Sequence, residues 1–200
     1  MDFICSKMWI DFIVVSVIIV NYVRVSSCFY IESEAMKPCP EVQPQKNIDV
    51  DKLLGTWHLS LLVLDSAHED FVETEMCVTG EISRLNSSLI RQMWTVQSED
   101  LFNEPSAILE FPTTVDQNGI WKVHTPLGGE LKATVFDYHP SSHIIVTHCG
   151  LHMGRLVHLW TAAVTRSRTL SPILRLRMTS ALIENGFDPV VSKVITWHKC

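Results

Sequence analysis

Charge is scarce in this chain. Its 200 residues hold 16 Lys and Arg against 22 Asp and Glu, a formal net charge of −6, with no block of cations. Phosphate affinity needs clustered cations, so nucleic-acid binding is excluded as a primary role. No CxxC pair is present, and no acid or cysteine stands at ligand spacing from the histidines, which argues against a zinc or other metal site. GxSxG is missing, and with it the strained nucleophile turn of a hydrolase. Eight Gly and nine Pro are too few for collagen-like or low-complexity chain. No apolar run reaches the roughly 20 residues that a membrane-spanning helix needs.

What is present is hydrophobic residue at 46%, with six Cys, nine His and six Trp. That is enough apolar matter for a sizeable core, in a length that suits one domain, or one domain behind a processed leader.

The leader is residues 1–27. Phe12 to Val20 is a nearly unbroken apolar run preceded by Lys7 and followed by Asn21 and Arg24. Its length fits the apolar segment of a signal peptide, and Val25-Ser26-Ser27 supplies small residues for cleavage. The chain is therefore expected to be secreted, with no membrane span after cleavage. In an oxidising compartment, widely spaced cysteines read as disulfides. Cys5 leaves with the leader and Cys28 sits at the cleavage point. Cys39, Cys77, Cys149 and Cys200 remain, and four cysteines allow three pairings.

Residues 28–48 carry Pro38, Pro40 and Pro44 and read as an irregular arm; residues 49–200 form the domain proper. Short apolar segments follow one another there, separated by turn chemistry: Leu53–Leu64, Cys77–Leu85, Leu89–Val96, Ala107–Phe111 ending at Pro112, Ile120–Thr125, Leu131–Tyr138, His143–Cys149 and Leu156–Thr165. Asn86-Ser87, Asn118-Gly119, Gly128-Gly129 and Pro140-Ser141 mark turns. About eight strands at such spacing point to an antiparallel sandwich or barrel. Ser171-Pro172 then opens a helix as N-cap and first-turn proline. Leu174, Met178, Ala181 and Leu182 keep helical spacing, Gly186 ends it, and Val190 to Trp197 reads as a last strand.

This order, with three short motifs, resembles the lipocalin family. Gly55-Thr56-Trp57 matches its GxW signature. Asp137-Tyr138 matches the second signature, with Phe136 where a Thr is usual, and Arg166 matches the arginine of the third. The cysteines are most similar to those of the apolipoprotein-D-like and insect Lazarillo-like branch. The resemblance covers about Cys39 to Cys200 and implies an all-β fold: an eight-stranded up-and-down antiparallel barrel, the calyx, with one C-terminal α-helix packed outside and a short final strand. It implies Cys39–Cys149 and Cys77–Cys200 disulfides, and Trp57 closing the barrel floor beneath Arg166. It also implies a secreted carrier, not an enzyme, for a small hydrophobic ligand such as a lipid, sterol, retinoid or bilin-type pigment. The alternative is a salivary-type effector that binds host proteins through its loops. A lipocalin-type isomerase would need a reactive thiol inside the barrel, and only Cys77 offers one.

Met93, Trp94, Trp121, Phe136 and Trp160 sit on strands that would form the barrel wall and are the candidate ligand contacts. Packing between barrel and helix is the competing role for each, because period-two alternation turns only some of them inward. His143 and His148 should face opposite sides of one strand, and His148 and His152 should flank a turn near Gly150. Their expected place is the surface or the calyx mouth. No metal or cofactor is implied, and no spacing selects a haem ligand. Asn86-Ser87-Ser88 is an N-glycosylation acceptor in a hairpin turn. The expected assembly is a monomer or weak homo-oligomer.

Overall fold

The computed structural model describes residues 37–64, 76–98, 107–187 and 193–196. The leader, Cys28 and Cys200 lie outside them. Eight strands run β1 Gly55–Leu64, β2 Met76–Arg84, β3 Leu89–Ser98, β4 Ala107–Thr114, β5 Ile120–His124, β6 Glu130–His139, β7 His143–His152 and β8 Arg155–Thr165. The helix α1, Pro172–Glu184, and a short strand β9, Lys193–Thr196, follow.

Each strand pairs antiparallel with the next, β8 returns to β1, and β1 pairs with β2, so the sheet closes into an up-and-down barrel. Closure removes the free edges that an open sheet would present. The contact of β1 with β2 covers only Gly55 to His58; farther along, Leu61 to Leu64 pair with β9 instead.

Alternation along the strands divides the apolar residues between two cores. One fills the barrel and includes Trp57, Ile82, Ile90, Trp121, Val135 and Ile144. The other lies between the outer wall and α1, where Leu61, Ile145 and Ala163 meet Met178 and Leu182. Ser171 caps the helix by accepting from the Leu174 amide at 3.2 Å. The helix docks through Leu174, Met178, Ala181 and Leu182, while Ile173 and Leu176 face outward.

The arm is tied down at both ends. Pro38 bridges to Val157, the Cys39 amide donates to the Leu156 carbonyl at 3.0 Å, and Cys39 is disulfide-bonded to Cys149. Farther along, the Gln45 amide donates to the Val135 carbonyl at 2.8 Å.

Two local expectations change. β4 continues through Pro112 to Thr114; a strand tolerates proline where its ladder is one-sided, and β5 pairs with β4 only at Thr113 and Thr114. The turn expected near Gly150 falls at Met153-Gly154, whose positive φ values of 47° and 77° make the reversal. Gly150 stays inside β7, which places His148 and His152 on one face of one strand.

Candidate functional site

The barrel is closed at the end where β1 begins. Trp57 is wholly buried there and donates from Nε1 to the Leu53 carbonyl at 2.7 Å. Arg166, just past β8, lies over its ring. The guanidinium donates to the carbonyls of Lys52, Leu54 and Thr56 at 2.6, 3.0 and 3.0 Å, and Nε donates to the Pro140 carbonyl at 3.4 Å. Gly55 holds a φ of +99° below the arginine, a conformation that L side chains rarely adopt. Tyr138 donates from its hydroxyl to the Asp49 carbonyl at 3.2 Å. Trp57 and Arg166 therefore close the floor, Trp57 wholly buried and Arg166 keeping part of its surface accessible.

Above this floor the interior opens. Leu59, Trp94, Val96, Phe111, Val146 and Trp160 stay half-buried although strand register turns them inward. An inward side chain that keeps accessible surface shows that protein atoms do not fill the space beside it. These six side chains line the upper interior of the barrel, the chamber, with the mostly hydrophobic surface that small-ligand sites use.

The five expected contact residues separate. Trp94 lies against Gly80, where a Cβ would stand 2.5 Å from its ring, and donates to Gln92 Oε1 at 3.3 Å. Trp160 faces the chamber and stacks on His148, with ring centres 4.8 Å apart. Trp121 points inward at the floor, buried and donating to the Asp116 carbonyl at 3.1 Å. Met93 takes the outer face of β3, opposite Glu81 and Glu110. Phe136 also lies outside, at the irregularity between Val135 and Asp137, and stacks on Phe187 at 5.8 Å. Met93 and Phe136 cannot reach an interior ligand, because neighbouring strand residues point to opposite faces.

His148 was not among the expected contacts, although its sequence position next to apolar Val146 and Ile144 on the inward alternation carried the signal. Burial pushes its imidazole down to about 3, with His158 adding to the effect, so the ring is neutral. The residue is half-buried, so part of it keeps accessible surface.

Asp137 Oδ2 accepts from His143 Nε2 at 3.0 Å, and His143 Nδ1 pairs with Ser142 Oγ at 3.0 Å. His143 is fully buried, so this Ser–His–Asp chain anchors the β6–β7 turn. The His143 hydrogen bond holds the Asp137 carboxyl below its usual range, against the opposing effect of burial. Cys77 is disulfide-bonded and sits at an outward position of β2, so it offers no interior thiol; Cys200 lies outside the described residues. Asn86 is exposed in the β2–β3 turn, with its Oδ1 accepting from the Ser88 and Leu89 amides at 2.9 Å each. Among the described residues, no group of three or more His, Cys, Asp or Glu is placed to hold a metal, and no helix is long and apolar enough to cross a membrane.

A closed eight-stranded up-and-down barrel with one flanking helix is the lipocalin fold. Solved structures of that fold superpose on this chain. The siderocalin Ex-FABP does so with a TM-score of 0.59 at 16% identity, over 74% of this chain and 95% of its own. Lobster apocrustacyanin A1 gives 0.64 at 11%, over 83% and 91%, and apocrustacyanin C2 gives 0.56 at 13%, over 78% and 90%. No protein-family model and no curated protein matches the chain.

Proposed function

We propose that this protein is a secreted carrier that binds one small hydrophobic molecule in the barrel: a lipid, sterol, retinoid or bilin-type pigment. The observation that carries the reading is the set of inward, half-buried apolar side chains above the floor that Trp57 closes. The siderocalin neighbour functions through dual ligand specificities, which supports ligand binding as a use of this architecture. The apolar leader and the Cys39–Cys149 bridge support secretion. In this reading the chain falls in the apolipoprotein-D-like branch, with a Cys77–Cys200 bridge beside Cys39–Cys149. Asn86 is the glycosylation site of this reading.

Binding transfers apolar surface from water to a preformed cavity, at about 25 cal/mol per Å². The purified protein should take up the neutral probe N-phenyl-1-naphthylamine with a negative heat-capacity change and little salt dependence. Val146→Glu, inward and half-buried, should abolish uptake while the circular dichroism stays native, because an unpaired charge opposes an apolar ligand.

One observation favours the effector reading. At the end opposite the floor, Leu127 and Met153 are 98% and 82% exposed on the β5–β6 and β7–β8 connections, and Leu151, near the end of β7, is 75% exposed. Folded protein that takes up neither the probe nor any of a lipid, retinoid and tetrapyrrole panel would move that reading ahead.

A further inference from the structure

On the inward face of β7, Val146, His148, Gly150 and His152 follow one another. His148 sits opposite Ala133 of β6 and Trp160 of β8, with its ring stacked on the indole at an interplanar angle of 22°. Its Nδ1 is buried and has no hydrogen-bond partner among the described residues, and the same holds for His152 Nε2, nearer the mouth. Such orphans are rare, since buried polar groups are nearly always paired. The other polar groups inside the barrel follow that rule. Gln92 Nε2 donates to Thr113 Oγ1 at 2.8 Å, and Trp94 Nε1 donates to Gln92 Oε1.

The buried nitrogen decides the tautomer. A neutral imidazole carries one N–H. Placing it on Nδ1 would bury a donor with no acceptor, which costs more than leaving a lone pair unpaired. The proton therefore belongs on Nε2, the nitrogen left with access to the chamber. Because burial keeps the ring neutral, its matching group is a neutral acceptor rather than a carboxylate, whose charge the apolar wall would leave uncompensated.

We infer that His148, braced on Trp160, is the polar specificity determinant of the chamber, donating from Nε2 to a carbonyl or hydroxyl oxygen on an otherwise apolar ligand. The inference rests on the carrier reading and adds the ligand class: a ketone, aldehyde or alcohol of a lipid or terpenoid skeleton in preference to its hydrocarbon or its carboxylic acid. Trp160 holds the imidazole plane, so the bond has a fixed direction along the wall.

The test is competition against bound N-phenyl-1-naphthylamine by dodecan-2-one, dodecane and dodecanoate. In the wild type, the ketone should displace the probe about five- to tenfold more tightly than the alkane, the scale of one net hydrogen bond. It should also outcompete the carboxylate at pH 7. His148→Phe keeps a ring on Trp160 and removes both nitrogens; whatever its absolute affinity for the probe, it should bring the ketone-to-alkane ratio to about one. His148→Leu serves should the Phe variant fail to fold. In the wild-type protein, labelled at histidine nitrogen, one ring resonance should move with the ketone and stay still with the alkane. Probe uptake without a ketone preference, or a preference that survives loss of His148, overturns this inference and leaves the carrier reading standing. Failure of the wild type to take up the probe overturns both.

Discussion

The Arg166 guanidinium lies 3.8 Å above the centre of the Trp57 ring while donating to the carbonyls of Lys52, Leu54 and Thr56. One side chain thus covers the floor aromatic and ties down the 3₁₀ turn Val50–Leu53 that enters β1. Cation–π attraction and the carbonyl bonds act on the same group, and a planar fork of donors suits both at once.

Trp57→Ala should cost about 3–5 kcal/mol, typical of a large buried aromatic. Arg166→Ala should cost less, and Arg166→Lys should rescue only part, because an ammonium cannot span three carbonyls in one plane. Denaturant unfolding of both single variants and the double variant should give a coupling energy of about 0.5–2 kcal/mol. Strict additivity would show that the stack contributes nothing.

Gly80 leaves room for Trp94. A Cβ there would stand 2.5–2.7 Å from three ring carbons, so Gly80→Ala must push the indole into the chamber. The expected result is a stability loss of about 1–3 kcal/mol, with weakened probe binding and altered tryptophan fluorescence. Adding Trp94→Leu to Gly80→Ala should restore the stability; a double variant as unstable as the single one contradicts the geometry.

Cys39–Cys149 closes a loop with a sequence separation of 110. Cys149→Ser should lower unfolding stability by about 2–5 kcal/mol, and the chain-entropy account puts roughly 4.7 kcal/mol on a loop near this length. Limited proteolysis should then cut the arm between Val42 and Asn47, a segment expected to resist in the wild type. An arm that stays protected after reduction would show that Val42 packing and the Gln45 hydrogen bond suffice.

Asp137 sets an acid limit on stability. Its folded value lies below the unfolded one because His143 donates to it. Its contribution is therefore complete above the unfolded value near 4 and is lost as pH falls through the lower folded value. His148 acts over a higher window. Its folded value of about 3 lies below the unfolded value near 6.5, so stability falls as pH drops from about 6.5 towards 3. Asp137→Asn should flatten the unfolding profile below pH 4 and leave the slope between pH 4 and 6.5 in place. Asp137→Ala should cost about 1–3 kcal/mol at pH 7 by orphaning His143 Nε2. An unchanged profile below pH 4 in the Asn variant would remove this role.

Much of the architecture was legible because local rules suffice for it. Turn residues at Asn118-Gly119 and Gly128-Gly129 separated the strands, and Ser171-Pro172 opened the helix. The siting of GxW, Asp137-Tyr138 and Arg166 matched a known closed barrel. The candidate site was legible only in part. Met93 and Trp94 are neighbours, so one of the two had to face away; their order alone carries no sign of which.

Composition and turn chemistry thus determined the number of strands, their order and the helix, since these depend on contacts close along the chain. Which face of each strand became the interior was decided only by tertiary pairing. The register of β6 with β7, with its irregularity beside Phe136, sends that ring out to Phe187, and the register of β7 with β8 sets His148 against Trp160 inside. Side chains repeat every two residues, so a shift of one residue exchanges inside for outside while leaving the strand pattern unchanged. Only closure of the barrel, joining residues more than a hundred positions apart, fixes that phase.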